Sequence, residues 1–142
     1  KKGTIINITS LATLYPLPYM PLYNSCKSAL SSFTKSMMLE YKTLKWIDFR
    51  LGDIRTSFNK SAPKQAEDSQ SDSMKRAWTQ IEKQLNESPL PQVAAMQILK
   101  SLKKGRVGTI YGGGFFQAHL APFFYRFLQN KLLYKILIHR YS

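Results

Sequence analysis

The chain reads as an α/β fold built on a parallel sheet, and three observations predict it. Short apolar runs rich in β-branched or aromatic residues recur at Ile5 to Thr9, Trp46 to Leu51 and Arg106 to Tyr111. Stretches free of Gly and Pro, with apolar residues at helical spacing, lie between them. The resulting order β, α, β, α, α, β is that of strands joined by helical crossovers.

Each element has its own signal. Ile5 to Thr9, behind Gly3, is apolar enough for a strand buried on both faces, and it ends at Ser10. Pro16, Pro18 and Pro21 exclude a regular helix or central strand from Leu11 to Leu22, which is a loop. From Tyr23 to about Lys42 a helix is predicted, with Ala29, Phe33, Met37 and Tyr41 as its apolar stripe. In the next strand Ile47, Phe49 and Leu51 alternate with Asp48 and Arg50 until Gly52. Residues 57–72 are polar and read as a mobile loop or lid. A helix follows over Ser73 to Asn86, with Met74, Trp78, Ile81 and Leu85 in line. Another starts at Pro91, which suits a first helical turn, and stops at Lys103-Lys104-Gly105. Arg106 to Tyr111 is the third strand, and Gly112-Gly113-Gly114 reads as a flexible exit. Met37, Met38 and Met96 are expected as core filler on their helices. There is no internal repeat or low-complexity tract.

With 142 residues and 44% hydrophobic content the chain can fill one domain with a modest core. Its one cysteine, Cys26, excludes an internal disulfide and a cysteine-based zinc site, and points to a reducing compartment such as the cytoplasm. His119 and His139 have no carboxylate or cysteine neighbours in sequence, so no metal site is expected. The net charge is +13, and no acidic residue follows Glu87. That cationic field would attract phosphate on a cofactor, a lipid headgroup or a nucleic acid, or simply be solvated.

Tyr23 and Lys27, four apart, share one face of a helix with Cβ atoms ~5–6 Å apart. A phenol is a weak base at neutral pH, and a neighbouring cation favours its phenolate, which gives the lysine a reason to be there. Ser10, at the C-terminal end of a parallel strand, lies where open α/β sheets bind ligands. Its hydroxyl can hold a substrate oxygen. Three such side chains can carry out proton chemistry on a carbonyl.

Ile-Ile-Asn-Ile-Thr-Ser at 5–10, Tyr23-Asn-Ser-Cys-Lys27 and Arg50-Leu-Gly-Asp-Ile-Arg-Thr56 together resemble the short-chain dehydrogenase/reductase family. The resemblance implies a partial Rossmann-like, doubly wound parallel sheet, represented by its C-terminal three strands with flanking helices. It implies an oxidoreductase that moves hydride between NADP or NAD and a carbonyl or secondary alcohol. Ser10 would position the carbonyl, Tyr23 would exchange the proton, and Lys27 would favour the phenolate while binding the nicotinamide ribose. Gly52, Ile54 and Thr56 would form the turn that contacts the nicotinamide, with Leu51 where the family has proline. The Gly-rich nucleotide loop, the Asn-Ala-Gly element and the helix asparagine of the proton relay have no counterpart here, so the chain resembles a C-terminal portion. On that basis the first strand would have an unpaired edge and the isolated chain would fold poorly.

The expected organisation is therefore a Rossmann-like part over residues 1–114, including a substrate lid at 57–87, followed by an aromatic, basic helical extension at 115–142. That extension is too interrupted to span a bilayer. It suits either a helix lying in a membrane interface or a segment packed over the substrate pocket or a partner subunit. The charge leans to NADP over NAD, and the family often pairs subunits through the tyrosine-bearing helix, so a homo-oligomer is open. A hydrophobic substrate is expected. Nucleic acid is not, because no reader module is present. The contrasting reading is a non-catalytic remnant that binds membrane or protein through its basic aromatic end.

Overall fold

The computed structural model describes residues 3–57 and 70–141, so most of the expected loop at 57–72 lies outside the described residues. Three strands, β1 (Thr4–Ser10), β2 (Lys45–Leu51) and β3 (Gly108–Gly112), form one parallel sheet in the order β1-β2-β3. Its register places Asn7 beside Asp48 and Thr109, and Ile8 beside Phe49 and Ile110. Helix α1 (Pro21–Glu40) joins β1 to β2, while α2 (Asp72–Asn86) and α3 (Pro91–Lys103) lie between β2 and β3. Beyond β3 come a wide helical turn at Phe116–Leu120, then α4 (Ala121–Tyr125) and α5 (Asn130–Tyr141). The partial Rossmann-like α/β architecture expected from the sequence is present.

Side chains alternate across a strand, so the register gives the sheet one polar and one apolar face. Ile47, Phe49 and Ile110 form the buried core on the apolar face, with Ile6, Leu51 and Ile98 of α3 packed against them. On the other face α1 packs through hydroxyls. Ser31 donates to Asp48 at 2.7 Å, and Asn7 donates to Thr34 at 2.8 Å. Since α1 and α3 cover opposite faces of a sheet that grows in one direction, the two crossovers differ in hand, and one departs from the usual right-handed rule.

That arrangement corrects the expected packing of α1. Phe33 and Tyr41 are half-exposed, at 52% and 51%, whereas Ser31 and Thr34 are buried. The reason is the polar sheet face beneath, which hydroxyls satisfy and the apolar stripe cannot. Two further expectations fail for related reasons. β1 is not buried on both faces: it is the sheet edge, with Ile5 and Ile8 more than a third exposed. Met96 lies on the outer side of α3, 60% exposed, instead of in the core.

The glycine run is a pinned corner, not a flexible exit. A Cβ on Gly112 would overlap the Phe49 ring, so the strand can pass the core there only without a side chain. Gly113 has φ of 111°, a left-handed conformation that suits glycine. The Gln97 side-chain amide brackets it, accepting from its N–H at 2.9 Å and donating to its C=O at 3.0 Å.

Candidate active site

Ser10 is both the last residue of β1 and the cap of a single 3₁₀ turn at Leu11–Thr13. Its Oγ accepts the Ala12 N–H at 3.1 Å, and its carbonyl accepts from Thr13 Oγ1 at 2.9 Å. The cap fixes a buried side chain while using only an acceptor position of the hydroxyl. Its proton has no acceptor among the described residues and can be donated to a ligand oxygen.

Tyr23 and Lys27 project from the first turns of α1. Pro21 starts that helix, where a missing N–H costs nothing. Lys27 Nζ donates to the Ile8 carbonyl at 2.8 Å and lies 5.9 Å from the centre of the Tyr23 ring. The ammonium is thus anchored on β1 beneath the phenol, with further donors to spare. Tyr23, Lys27, Ser31 and Thr34 follow one another at helical spacing, and the last two are the hydroxyls buried on the sheet. Tyr23 and Lys27 therefore extend the polar, sheet-facing stripe of α1 to the C-terminal end of the sheet. The loop before the helix is held by another amide bracket, in which Asn24 accepts the Leu17 N–H at 3.3 Å and donates to the Leu17 C=O at 2.8 Å.

Ser10, Tyr23 and Lys27 line a cavity of about 370 Å³ with Thr9, Gly52, Asp53, Ile54 and Thr56. The structure thus brings together all six residues singled out in the sequence. A second cavity of about 250 Å³ shares Ser10, Leu17, Leu51, Gly52 and Asp53 with the first. Its remaining wall comes largely from the C-terminal segment, through Phe116, Ala121, Phe124, Leu128, Ile136 and Leu137. Ser10 stands where the two meet.

The C-terminal segment is fastened at two points beside the site. Tyr15 donates to the Ala121 carbonyl at 2.7 Å and meets Tyr125 edge-on at 5.5 Å. Gln117 accepts the Asp53 N–H at 2.9 Å and donates to the Asp53 carboxylate at 2.6 Å. Burial raises the Tyr15 phenol above its ordinary value, with smaller contributions from Tyr125 and Tyr111. Tyr141 is also raised, first by burial; nearby Arg140 opposes the shift and the Asp53 carboxylate adds to it. Gln117, Gln97 and Asn24 were not visible as site residues in the sequence. Isolated amides carry no spacing signal, and their partners lie far along the chain. Among the described residues no group of His, Cys, Asp or Glu could hold a metal ion.

The short chain dehydrogenase family profile matches residues 1–67. The very-long-chain 3-oxoacyl-CoA reductase of Anas platyrhynchos is 40% identical over 42 residues, which is 30% of this chain and 14% of that protein. The very-long-chain 3-oxoacyl-CoA reductase-B of Danio rerio is 38% identical over 42 residues, with the same shares of 30% and 14%. The chain thus matches about a seventh of the length of these relatives. The matched residues 1–67 hold Ser10, Tyr23 and Lys27, and over them the chain is similar to the short-chain dehydrogenase family.

Proposed function

We propose that this chain provides the proton-handling, substrate-facing part of an oxidoreductase that works between NAD(P)H and a carbonyl or secondary alcohol on an apolar chain. The observation that carries this reading is the position of Ser10 at the junction of two cavities, one bounded by Tyr23, Lys27 and the Gly52 turn, the other largely by aliphatic and aromatic side chains of the C-terminal segment, with Gln84, Gln117 and Arg140 among them. The first would take the nicotinamide end of the cofactor. Lys27 offers donors to a ribose, and Gly52, Ile54 and Thr56 form the opposite wall. A nicotinamide bound there would supply or accept hydride at the carbon that bears the reacting oxygen.

The chain's own residues handle that oxygen. Ser10 donates its free hydroxyl proton to it and fixes its direction. Tyr23 gives up its phenolic proton as negative charge builds on the oxygen, and Lys27 holds a positive charge beneath the ring as the phenolate forms. In the oxidising direction the same proton returns to Tyr23. The apolar cavity takes the rest of the substrate, which fits the fatty chain of a 3-oxoacyl compound, the class named in the two relatives. The high positive charge favours NADP over NAD. Leu22, Phe33 and Leu39 on the outer side of α1, at 81%, 52% and 75% exposure, suit pairing with a second copy.

A second reading rests on the C-terminal segment, where Phe115, Phe123 and Phe127 are largely exposed beside Arg126 and Lys131. In that reading a non-catalytic chain meets an anionic membrane surface. No helix among the described residues is long and apolar enough to cross a membrane. One experiment separates the two. NADPH and NADH are titrated calorimetrically into the chain and into a form extended upstream of Lys1, and turnover of a carbonyl panel is then measured. Binding with turnover that falls about 10²–10⁴-fold in Tyr23→Phe supports the oxidoreductase. If neither form binds, the catalytic reading fails and the basic aromatic end becomes the functional element.

A further inference from the structure

The Gly52 turn lacks the proline that the family pattern places at position 51, and the structure shows what holds it instead. Its main chain is tied on two sides, with the Gly52 N–H donating to the Gly112 carbonyl and the Arg55 N–H to the Pro89 carbonyl, both at 2.9 Å. Between them, Asp53 is gripped twice by one side chain, Gln117. The fit is close: a Cβ on Gly52 would lie 2.5 Å from Gln117 Oε1, and one on Gly113 would lie 3.3 Å from the Gly52 backbone. Gln117 also lines the apolar cavity. It therefore touches both the turn and the space where the substrate chain would lie.

We propose that Gln117 is a positioning residue, which locks the Gly52–Thr56 turn for the nicotinamide and makes that lock depend on the seating of the C-terminal segment. The assignment rests on the oxidoreductase reading above. Its chemistry can be reversed, which gives a clean test. Q117E places two carboxylates against each other, with no donor between them. D53N alone keeps an acceptor for the Gln117 amide. D53N/Q117E restores both hydrogen bonds with the side-chain direction exchanged: the new amide at position 53 donates to the new carboxylate at position 117, while the main-chain N–H of residue 53 still finds an oxygen.

Two quantities are measured: hydrogen exchange at the residue 53 amide in the chain itself, and NADPH affinity by calorimetry in the upstream-extended form. Q117E is expected to speed exchange at residue 53 and to weaken NADPH binding about tenfold, in line with losing a charge-assisted hydrogen bond. The double variant should return affinity to within about threefold of wild type. NADPH binding that is indifferent to Q117E, or that stays weak in a double variant whose residue 53 amide is again protected, overturns the assignment and leaves the oxidoreductase reading intact. Failure of the wild-type extended form to bind NADPH overturns both.

Discussion

At Asp48 a carboxylate with no exposed surface accepts from Thr9 and Ser31 and pairs with Arg50, whose Nε lies 3.1 Å away. Arg50 is itself buried, donates to Ser31 at 3.0 Å and lies 5.8 Å from the centre of the Tyr111 ring. Burying two charges is costly, and only a fully partnered cluster offsets it. The cluster ties β1, α1 and β2 together beside the candidate site, since Thr9 adjoins Ser10 and Ser31 lies one helical turn from Lys27, so it sets the height of α1 on the sheet. Asp48→Ala would leave the guanidinium buried and unpaired. It is expected to lower stability by about 3–5 kcal/mol, read from the midpoint of urea unfolding. Asp48→Asn keeps the shape and one acceptor oxygen and should cost less; equal losses in the two variants would refute this account. At this scale the pair Tyr23 and Lys27 was legible because four-residue spacing puts two side chains on one helix face. The Asp48 cluster was not, since alternation shows only which face a strand residue takes, never what covers it.

Helix α1 shows the same division at the level of the element. Its existence followed from a long stretch without Gly or Pro, but its orientation did not, because it presents hydroxyls inward and its apolar stripe outward. The C-terminal segment is governed by its fastenings more than by its composition. Ala121 N–H reaches back five residues to the Phe116 carbonyl, and that wide turn carries Gln117. Tyr15 holds α4 through a hydroxyl that must remain protonated in order to donate. Burial raises its pKa in the fold, so its stabilising contribution is complete below about pH 10 and is lost as pH climbs through the raised folded value. The melting temperature should therefore fall more steeply above about pH 10 in the wild type than in Tyr15→Phe. Tyr15→Phe should lose about 1 kcal/mol at neutral pH with its hydrogen bond. Parallel alkaline melting curves would remove Tyr15 as the cause.

Over the whole molecule the core is thin. Ile47 and Phe49 are the only large apolar side chains less than 2% exposed among the described residues. β1 is an edge strand with Ile5 and Ile8 partly exposed, and the outer face of α1 leaves Leu22 and Leu39 in solvent. An unpaired apolar edge is a site for foreign strand pairing. The chain by itself is therefore expected to give a broad, non-cooperative thermal transition with concentration-dependent association. Calorimetry together with light scattering checks both, and a sharp transition from a monodisperse sample of the chain alone would contradict the expectation.

Local periodicity and the Ser10, Tyr23, Lys27 spacing determined the element order, the parallel sheet and the chemistry available to the site, because these depend on neighbours within a few positions of one another. The tertiary structure alone decided which face of α1 meets the sheet, that the glycine corner after β3 is clamped, that Ser10 divides two cavities, and that Gln117 grips the turn beside it. Those outcomes depend on pairing groups far apart in the chain, such as Asp53 with Gln117 and Tyr15 with Ala121. A buried polar atom accepts whichever partner the fold brings within about 3 Å, and no spacing along the chain encodes that distance.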